Sequence, residues 1–476
     1  MLTIKERNPL PLSCGRVCPH PCEGVCRRGV EDEPVAINHL KRYVADWEKN
    51  RYLHLDVSVA APTGYKVAVI GGGPAGLSCA YFLRRLGHSV TIYEQMPKLG
   101  GMLRYGIPEY RLPKKILDWE IEGIINLGIE VRTGVRFGDD FGLRLLEAAG
   151  FNAVFIGIGA WQGRRMGLEG EDLEGVLDGI EFLGRFQGED KPVVGRHVIV
   201  VGGGNTAIDA ARSALRLGSE KVTLMYRRSR EEMPANELEV KAAEEEGIEI
   251  LFLAAPSRIL GKDGKVHQIE YIKMRLTEPD SSGRRRPVPI PGSETTMDTD
   301  MIIAAIGQAP NIDFVREGKK TAALKVTKWD TIDANEETLQ TDIPYVFTGG
   351  DCFTGPSIAV DAITAGRYAA RSIHYLLMEG AIPAIEERQI DLIKETLFEQ
   401  VEGLERAPRT HPRELKIESR ITNFEEVEHS ISQAEARREA GRCLRCGIVC
   451  YNRDIVEAIG KELELSVKPD AAAKPF

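Results

Sequence analysis

The chain has 476 residues, 43% of them hydrophobic and 28% charged, with a formal net charge of −9. At roughly 150 residues per domain, that length exceeds one hydrophobic core and points to about three. The acidic balance offers no basic footprint for nucleic acid, no apolar run is long enough to span a membrane and the N-terminus lacks an apolar signal core, which suggests a cytoplasmic enzyme.

Nine cysteines are spread unevenly: Cys14, Cys18, Cys22 and Cys26 form one group, Cys443, Cys446 and Cys450 another, with Cys79 and Cys352 between. In a large chain of this kind, clustered thiols hold metal more often than disulfides. The first group is spaced C-x3-C-x3-C-x3-C among prolines and glycines. Short loops that gather thiolates suit an iron–sulfur cluster. Structural zinc is the competing reading, although it usually takes C-x2-C pairs. The spacing of Ile37, Leu40, Val44 and Trp47 predicts a helix over 36–51 under the cysteine loops, and 57–64 reads as a linker.

Residues 67–70 are apolar β-formers leading into Gly71-Gly72-Gly73-Pro74-Ala75-Gly76, followed by a helical segment and a second strand, 90–93, ending on Glu94. This is the strand–turn–helix–strand of a dinucleotide fold: Gly71 for the tight turn, Gly73 for close approach to a pyrophosphate, Gly76 for helix–strand packing. The pyrophosphate belongs on the helix N-terminus, and Glu94, about twenty residues on, is placed to bind an adenosine ribose. The loop 99–113 is rich in Gly and Pro, with Met102, Arg104 and Tyr105, and is placed to run along the ring end of that ligand; an ordered surface loop is the alternative. A helix over 114–127, a strand over 129–132 and a buried strand over 153–160 follow.

A second such fold opens at 197–209, where Gly202, Gly204 and Ala207 form G-x-G-x-x-A. Its next strand, 221–226, ends on Arg227, Arg228, Ser229 and Arg230 instead of an acid. Arginines there pair with a 2′-phosphate, so the second nucleotide reads as NADP(H) before NAD(H); a solvated basic face is the plainer reading. An apolar strand over 299–308 leads out. Residues 343–351 form a strand ending on Asp351, which suits a ribitol hydroxyl or a helix cap ahead of a helix over 358–377. Residues 380–440 are charge-rich, with one or two helices. Cys79 and Cys352 form no C-x-x-C or C-x4-C pair and read as structural.

Residues 60–375 resemble the two-dinucleotide-domain flavoprotein reductases, whose FAD-binding halves are interrupted by an NAD(P)H domain. The stretches at 14–19, 101–108, 226–229 and 356–367 resemble the small-subunit family of NADPH-dependent glutamate synthase, along with the large subunit of the bifurcating NADH-dependent ferredoxin:NADP oxidoreductase and the N-terminal part of dihydropyrimidine dehydrogenase. The resemblance implies an α/β fold with two Rossmann-like domains and small helical iron–sulfur segments at both termini. It divides the chain into an iron–sulfur segment (1–60), a split FAD domain (61–190 and 309–380), an NADP(H) domain (191–308) and a C-terminal extension (381–476).

It further implies FAD on Gly71, Gly73, Pro74, Ala75, Gly76, Glu94, Gly101, Met102, Arg104, Tyr105, Gly106, Ile107, Gly349, Asp351 and Ile358. NADP(H) is implied on Gly202, Gly204, Asn205, Thr206, Arg227, Arg228 and Gly307. One or two [4Fe–4S] clusters fall on Cys14, Cys18, Cys22, Cys26, Cys443, Cys446 and Cys450. In those relatives a further cysteine motif precedes the one at Cys14; here the group at 443–450 looks like that motif moved to the C-terminus, one cysteine short. One relative takes a cluster ligand from a side-chain oxygen at the position of Lys41, which has none. Seven thiols cannot fill eight sites. Either Cys14, Cys18, Cys22 and Cys26 hold one cluster, or Cys26 joins Cys443, Cys446 and Cys450, as the resemblance favours, with His20 or His39 a remote candidate to complete the rest. The expected activity is electron transfer from NADPH through flavin and clusters to a protein partner; a flavin oxidoreductase with a small-molecule acceptor is the alternative.

Overall fold

The computed structural model describes residues 1–185, 192–279, 283–316, 324–384 and 404–444. In chain order the elements that position the sites are α1 (Pro11–Val17), α2 (Ile37–Lys49), β1 (Lys66–Ile70), α3 (Pro74–Arg85), β2 (Ser89–Glu94), α4 (Lys114–Ile125), β3 (Glu130–Thr133), β4 (Ala153–Ile156) and β5 (Val176–Asp178). Then come β6 (His197–Val201), α5 (Asn205–Arg216), β7 (Lys221–Tyr226), α6 (Glu237–Glu245), β8 (Glu249–Phe252), β9 (Ala254–Lys262), β10 (Lys265–Pro279), β11 (Arg285–Pro289), β12 (Thr295–Asp298), β13 (Met301–Ala304), β14 (Val346–Thr348), α7 (Ala359–Glu379) and α8 (Gln433–Gly441).

Two parallel five-stranded sheets form the frame, in the orders β14–β4–β1–β2–β3 and β5–β13–β6–β7–β8. Their inner strands β1, β4, β6 and β13 are near-continuous apolar runs because helices cover both faces. The chain leaves the first sheet after β4, builds the second, and returns as β14 beside β4. The second domain begins earlier than the boundary at 191 expected from the sequence, since β5 pairs in parallel with β13. Short antiparallel pairing of Gln162 and Gly163 with Ala309 and Gln308 ties the two crossings together.

Helix α3 is buried almost all round because it lies between the first sheet and α7. The crossing is close: a Cβ on Gly366 of α7 would fall 2.1 Å from the Ala75 carbonyl oxygen. The strands expected over 153–160 and 299–308 are shorter, β4 and β13. Gly157, Gly159 (φ +69°) and Gly307 (φ +133°) turn the chain across the sheet ends there. The antiparallel sheet of β9, β10, β11 and β12 was not anticipated. It alternates buried and exposed residues irregularly, which blurs its period.

The N-terminal segment packs on the first domain through α1 and the residue before it, with Leu10, Leu12 and Cys14 buried. Residues 404–444 clasp that segment through ion pairs. Arg409 meets Glu23 at 2.5 Å, and Arg42 meets Glu428 at 2.6 Å and Glu426 at 2.7 Å. Among the described residues, no helix is long and apolar enough to cross a membrane.

Candidate functional site: a cavity, a second glycine turn and a thiol loop

A cavity of about 450 Å³ lies across the C-terminal ends of the first sheet, where an open α/β sheet binds its ligands. One wall is the β1–α3 turn. Gly71 has φ +99° and its Cβ would fall 2.4 Å from the Gly157 oxygen, so only glycine fits. At Gly76 a Cβ would fall 1.9 Å from the Gly71 oxygen, whereas at Gly73 the nearest atom is 3.6 Å away. Gly73, Pro74 and Ala75 line the cavity, and α3 starts without a side-chain cap, leaving its first N–H groups for an anion.

Glu94 ends β2 at the same edge. Its carboxylate accepts from the N–H of Gly72 and of Met96 at 2.7 Å each, which ties the acid to the glycine turn. Burial raises its pKa against those bonds. At the opposite end Gly349, Gly350 and Asp351 follow β14, and Ile358, Ala359 and Ala362 present the uncapped start of α7. Burial, reinforced weakly by Asp361, pushes the Asp351 carboxyl up to about 6, while the Ser357 N–H holds it at 3.2 Å.

Of the loop residues expected here, Gly101, Met102 and Ile107 line the cavity; Arg104, Tyr105 and Gly106 do not. Arg104 turns inward, donating to the Leu99 oxygen at 2.5 Å and pairing with Asp118, so it braces the loop from behind. Tyr105 donates its hydroxyl to the Lys98 oxygen at 3.2 Å, and its ring lies 5.6 Å from that of Trp161. Sequence reasoning passed over Trp161, Val135, Phe137, Asn311 and Phe314, which also line the cavity. The glycines after β4 were the available signal, because they end a buried strand at the sheet edge.

The second glycine turn lies at the matching edge of the other sheet. Gly202 has φ +150° and its Cβ would fall 2.2 Å from the Ala305 oxygen; Gly204 faces open space, and α5 starts uncapped behind it. The Asn205 side chain accepts from the Asn236 N–H at 2.9 Å, and Thr206 Oγ1 accepts from Gln308 at 3.3 Å. Arg227 is exposed beside the turn. Arg228, expected beside it as a phosphate partner, is instead buried and donates Nε to the Arg285 oxygen at 2.8 Å, because β11 packs over it.

A buried ion cluster ties the loop that follows Ile107 to α5 and α6 of the second domain. Arg111, from the loop by the first cavity, bonds Asp209 of α5 at 2.7 Å and lies 3.1 Å from Glu239 of α6. Behind it Glu246 pairs with Arg212, Arg216 and Arg420; against the cost of burial, Arg216 and Arg212 hold its carboxyl down at about 2.

No disulfide joins any two of the described cysteines. Cys79 and Cys352 are fully buried, Cys352 bonding Thr348 and the Ile156 and Gly349 oxygens. Cys14 is buried, Cys18 and Cys26 half-buried, Cys22 exposed. Among the described residues, no three His, Cys, Asp or Glu side chains converge on a point where one metal ion could sit. Zinc needs four ligands within about 2.3 Å of one point, whereas an iron–sulfur cube holds its thiolates around a wider body. The thiols are neighbours all the same, since Cys18 acts electrostatically on both Cys14 and Cys22. Cys14, Cys18 and Cys22, soft donors placed near one another, fit a cluster better than a single ion. Cys443 is exposed. It follows Arg442, which bonds Asp32 at 2.9 Å and the Glu33 oxygen at 2.6 Å, while Arg28 donates to the Arg442 oxygen at 3.3 Å. That lattice fastens Cys443 near the turn just after Cys26. Cys446 and Cys450 lie outside the described residues.

Residues 65–366 match the family model described as pyridine nucleotide-disulphide oxidoreductase. Residues 1–53 match the one described as dihydropyrimidine dehydrogenase domain II, 4Fe-4S cluster. The chain is 41% identical to the beta subunit of the NADP(+)-dependent formate dehydrogenase of Moorella thermoacetica, over 93% of this chain and 66% of that relative's length. It is 36% identical to the small chain of the NADPH glutamate synthase of Escherichia coli strain K12, over 77% of this chain and 81% of the relative. The fold is similar to that of Mycobacterium tuberculosis FprA in complex with NADPH, with a TM-score of 0.56 at 19% identity, over 67% of this chain and 87% of that one.

Proposed function

Because this chain belongs to the pyridine nucleotide-disulphide oxidoreductase family, we propose that it is an iron–sulfur flavoprotein subunit passing electrons between NADP(H), FAD and a protein partner. The α3 N-terminus and Gly73 hold the FAD pyrophosphate, Glu94 its adenosine ribose, and Asp351 with the start of α7 the ribityl and ring end. The Gly202–Gly204 turn and the α5 N-terminus hold the second nucleotide's pyrophosphate, with Arg227 on its 2′-phosphate. When bound, these groups supply hydride exchange between nicotinamide and flavin and one-electron transfer to [4Fe–4S] clusters. The chain's own residues orient the two rings, match the phosphate charge and exclude water.

The observation that carries this reading is a shared core. Cys14 packs in the same hydrophobic cluster as Leu103 and Ala362, and both of those line the cavity. The thiol segment therefore belongs to the core that also walls the cavity. The Arg28–Arg442 bond supports the arrangement in which Cys26 joins Cys443, Cys446 and Cys450, leaving Cys14, Cys18 and Cys22 to the other cluster.

Relatives named as beta subunit and small chain support a hetero-oligomer, the partner being a catalytic or electron-accepting subunit of formate dehydrogenase or glutamate synthase type. The test is anaerobic iron, sulfide and flavin analysis of the purified chain, with EPR after NADPH and after NADH. One FAD and about eight irons reducible by NADPH are expected for two [4Fe–4S] clusters. Zinc in place of iron would overturn the reading. Sustained turnover of a small acceptor without any partner would favour a self-contained flavin oxidoreductase.

A further inference from the structure

The two helices that flank the N-terminal thiols carry three cations near the loop, and two of them are paired with carboxylates. Arg16 of α1 bonds Asp46 and Glu426 at 2.7 Å each. Arg42 of α2 bonds Glu428 at 2.6 Å and Glu426 at 2.7 Å. Lys41 is different: it is half-buried and, among the described residues, has no hydrogen-bond or ion-pair partner. The nearby acid is already spent, since Glu23 takes Arg409 at 2.5 Å and the Asn38 N–H at 2.8 Å.

Helical phase places Lys41 on the thiol side. Asn38, three residues earlier, donates its side chain to the Gly15 oxygen at 3.0 Å. A Cβ on Gly15 would fall 2.8 Å from Cβ of Arg42, so this stripe of α2 lies directly against the turn of α1 that carries Cys14. Electrostatics agree. Burial raises the Cys14 and Cys22 thiols, Cys14 to about 12, and Lys41 opposes the rise at both; it also acts on His20 between them. Lys41 thus stands on the side of α2 that packs against the thiol-bearing turn, with no partner among the described residues.

We propose that Lys41 is the counter-charge of the cluster held by the N-terminal thiols and favours its reduced form. The proposal rests on the iron–sulfur reading above. Each electron that arrives from the flavin adds one negative charge to a cluster already made anionic by its thiolates. A fixed ammonium next to it stabilises the reduced state more than the oxidised one. Cluster potentials are set by such charges and by solvent exposure.

The test is an EPR-monitored redox titration of the full chain. Cys22→Ser first identifies the signal that belongs to the N-terminal thiols. At a fixed solution potential, Lys41→Gln is expected to lower the reduced-to-oxidised ratio of that cluster about tenfold, which is a 59 mV fall for a one-electron couple. Lys41→Glu should lower it further, and Lys41→Arg should stay within about twofold of the parent. Iron is measured on every variant beforehand. Loss of iron in Lys41→Gln but not in Lys41→Arg also supports a charge requirement. An unchanged ratio in iron-replete Lys41→Gln overturns the proposal, as does an equal response, in ratio or in iron, of the Arg and Gln variants. A parent chain without iron defeats the iron–sulfur reading itself, a result distinct from either.

Discussion

The carboxylate of Glu120, on α4 of the first domain, accepts from the backbone N–H of Ser13 at 3.0 Å and from its hydroxyl at 2.6 Å. A third bond, from the Leu12 N–H at 2.5 Å, completes a helix cap supplied across more than a hundred residues of chain. Helix α1 begins with Pro11 and has no cap of its own, so the acid satisfies donors that would otherwise be buried and unpaired. Glu120 thereby fixes the helix that carries Cys14 onto the domain that carries the cavity.

Removing that cap is expected to loosen the thiol segment before the sheets. Glu120→Ala strands three buried donors, each worth about 1–3 kcal/mol when left unmade; with partial rescue by water the loss should be about 3 kcal/mol. Glu120→Gln keeps one good acceptor and should lose less. Denaturant unfolding followed alongside iron content checks this. Equal stability of Glu120→Ala and the parent would show that the cap is dispensable.

The first glycine turn separates packing from binding. At Gly76 an added methyl meets the Gly71 oxygen at 1.9 Å, so Gly76→Ala must displace α3 from β1 and is expected to yield unstable, flavin-free protein. At Gly73 the nearest protein atom to such a methyl is 3.6 Å away, while the residue faces the cavity. Gly73→Ala should therefore keep its thermal stability and lose flavin. Far-UV circular dichroism melts with flavin absorbance distinguish the two, and flavin retention in Gly73→Ala would remove the pyrophosphate from that position.

Much of this was legible because the signal is local. Strand, glycine turn, helix and terminal acid are consecutive, so Gly71 to Glu94 announce the first turn, and Gly202 to Ala207 the second. What could not be read was decided by packing between distant segments. Arg104 turns to Asp118 on the next helix, and Arg228 disappears under β11; neither partner adjoins it in sequence. The same holds for β5, whose three residues carry no clear strand signal and are recruited by β13. Trp161 and Phe314 line the cavity from crossings that begin where β4 and the second sheet end, positions no period of two or of 3.6 marks.

The contrast between Arg227 and Arg228 gives a test of cofactor choice. Arg227 is exposed beside the second turn, and Arg228 is buried with a backbone partner. Arg227→Ala is expected to raise KM for NADPH about tenfold, the loss of one charge-assisted contact, and to leave KM for NADH nearly unchanged. Arg228→Ala should lower stability by about 1–2 kcal/mol through the lost buried bond and affect both nucleotides alike. Steady-state kinetics with each coenzyme decide it; equal sensitivity of the two coenzymes to Arg227→Ala would move the 2′-phosphate elsewhere.

A buried histidine pair sets the expected response to acid. His88 is fully buried between α3 and β2; its Nδ1 lies 2.8 Å from Thr63 Oγ1 and its Nε2 3.0 Å from Nδ1 of His374 on α7. Burial, with His374 adding to it, lowers the His88 pKa from 6.5 to about 4. The unfolded chain therefore binds the proton more readily between those values. The stability this pair contributes is complete above pH 6.5 and is lost as pH falls toward 4. Allowing for partial solvent screening, the loss is on the order of 1–2 kcal/mol. His88→Gln keeps a donor and an acceptor but cannot titrate, so its stability should fall less steeply across this window. Because α7 begins at the cavity proposed to hold flavin, release of bound flavin, read as rising flavin fluorescence, should follow the same pH course in the parent and be delayed to lower pH in His88→Gln. Identical acid profiles for the two proteins would exclude His88 as the titrating group.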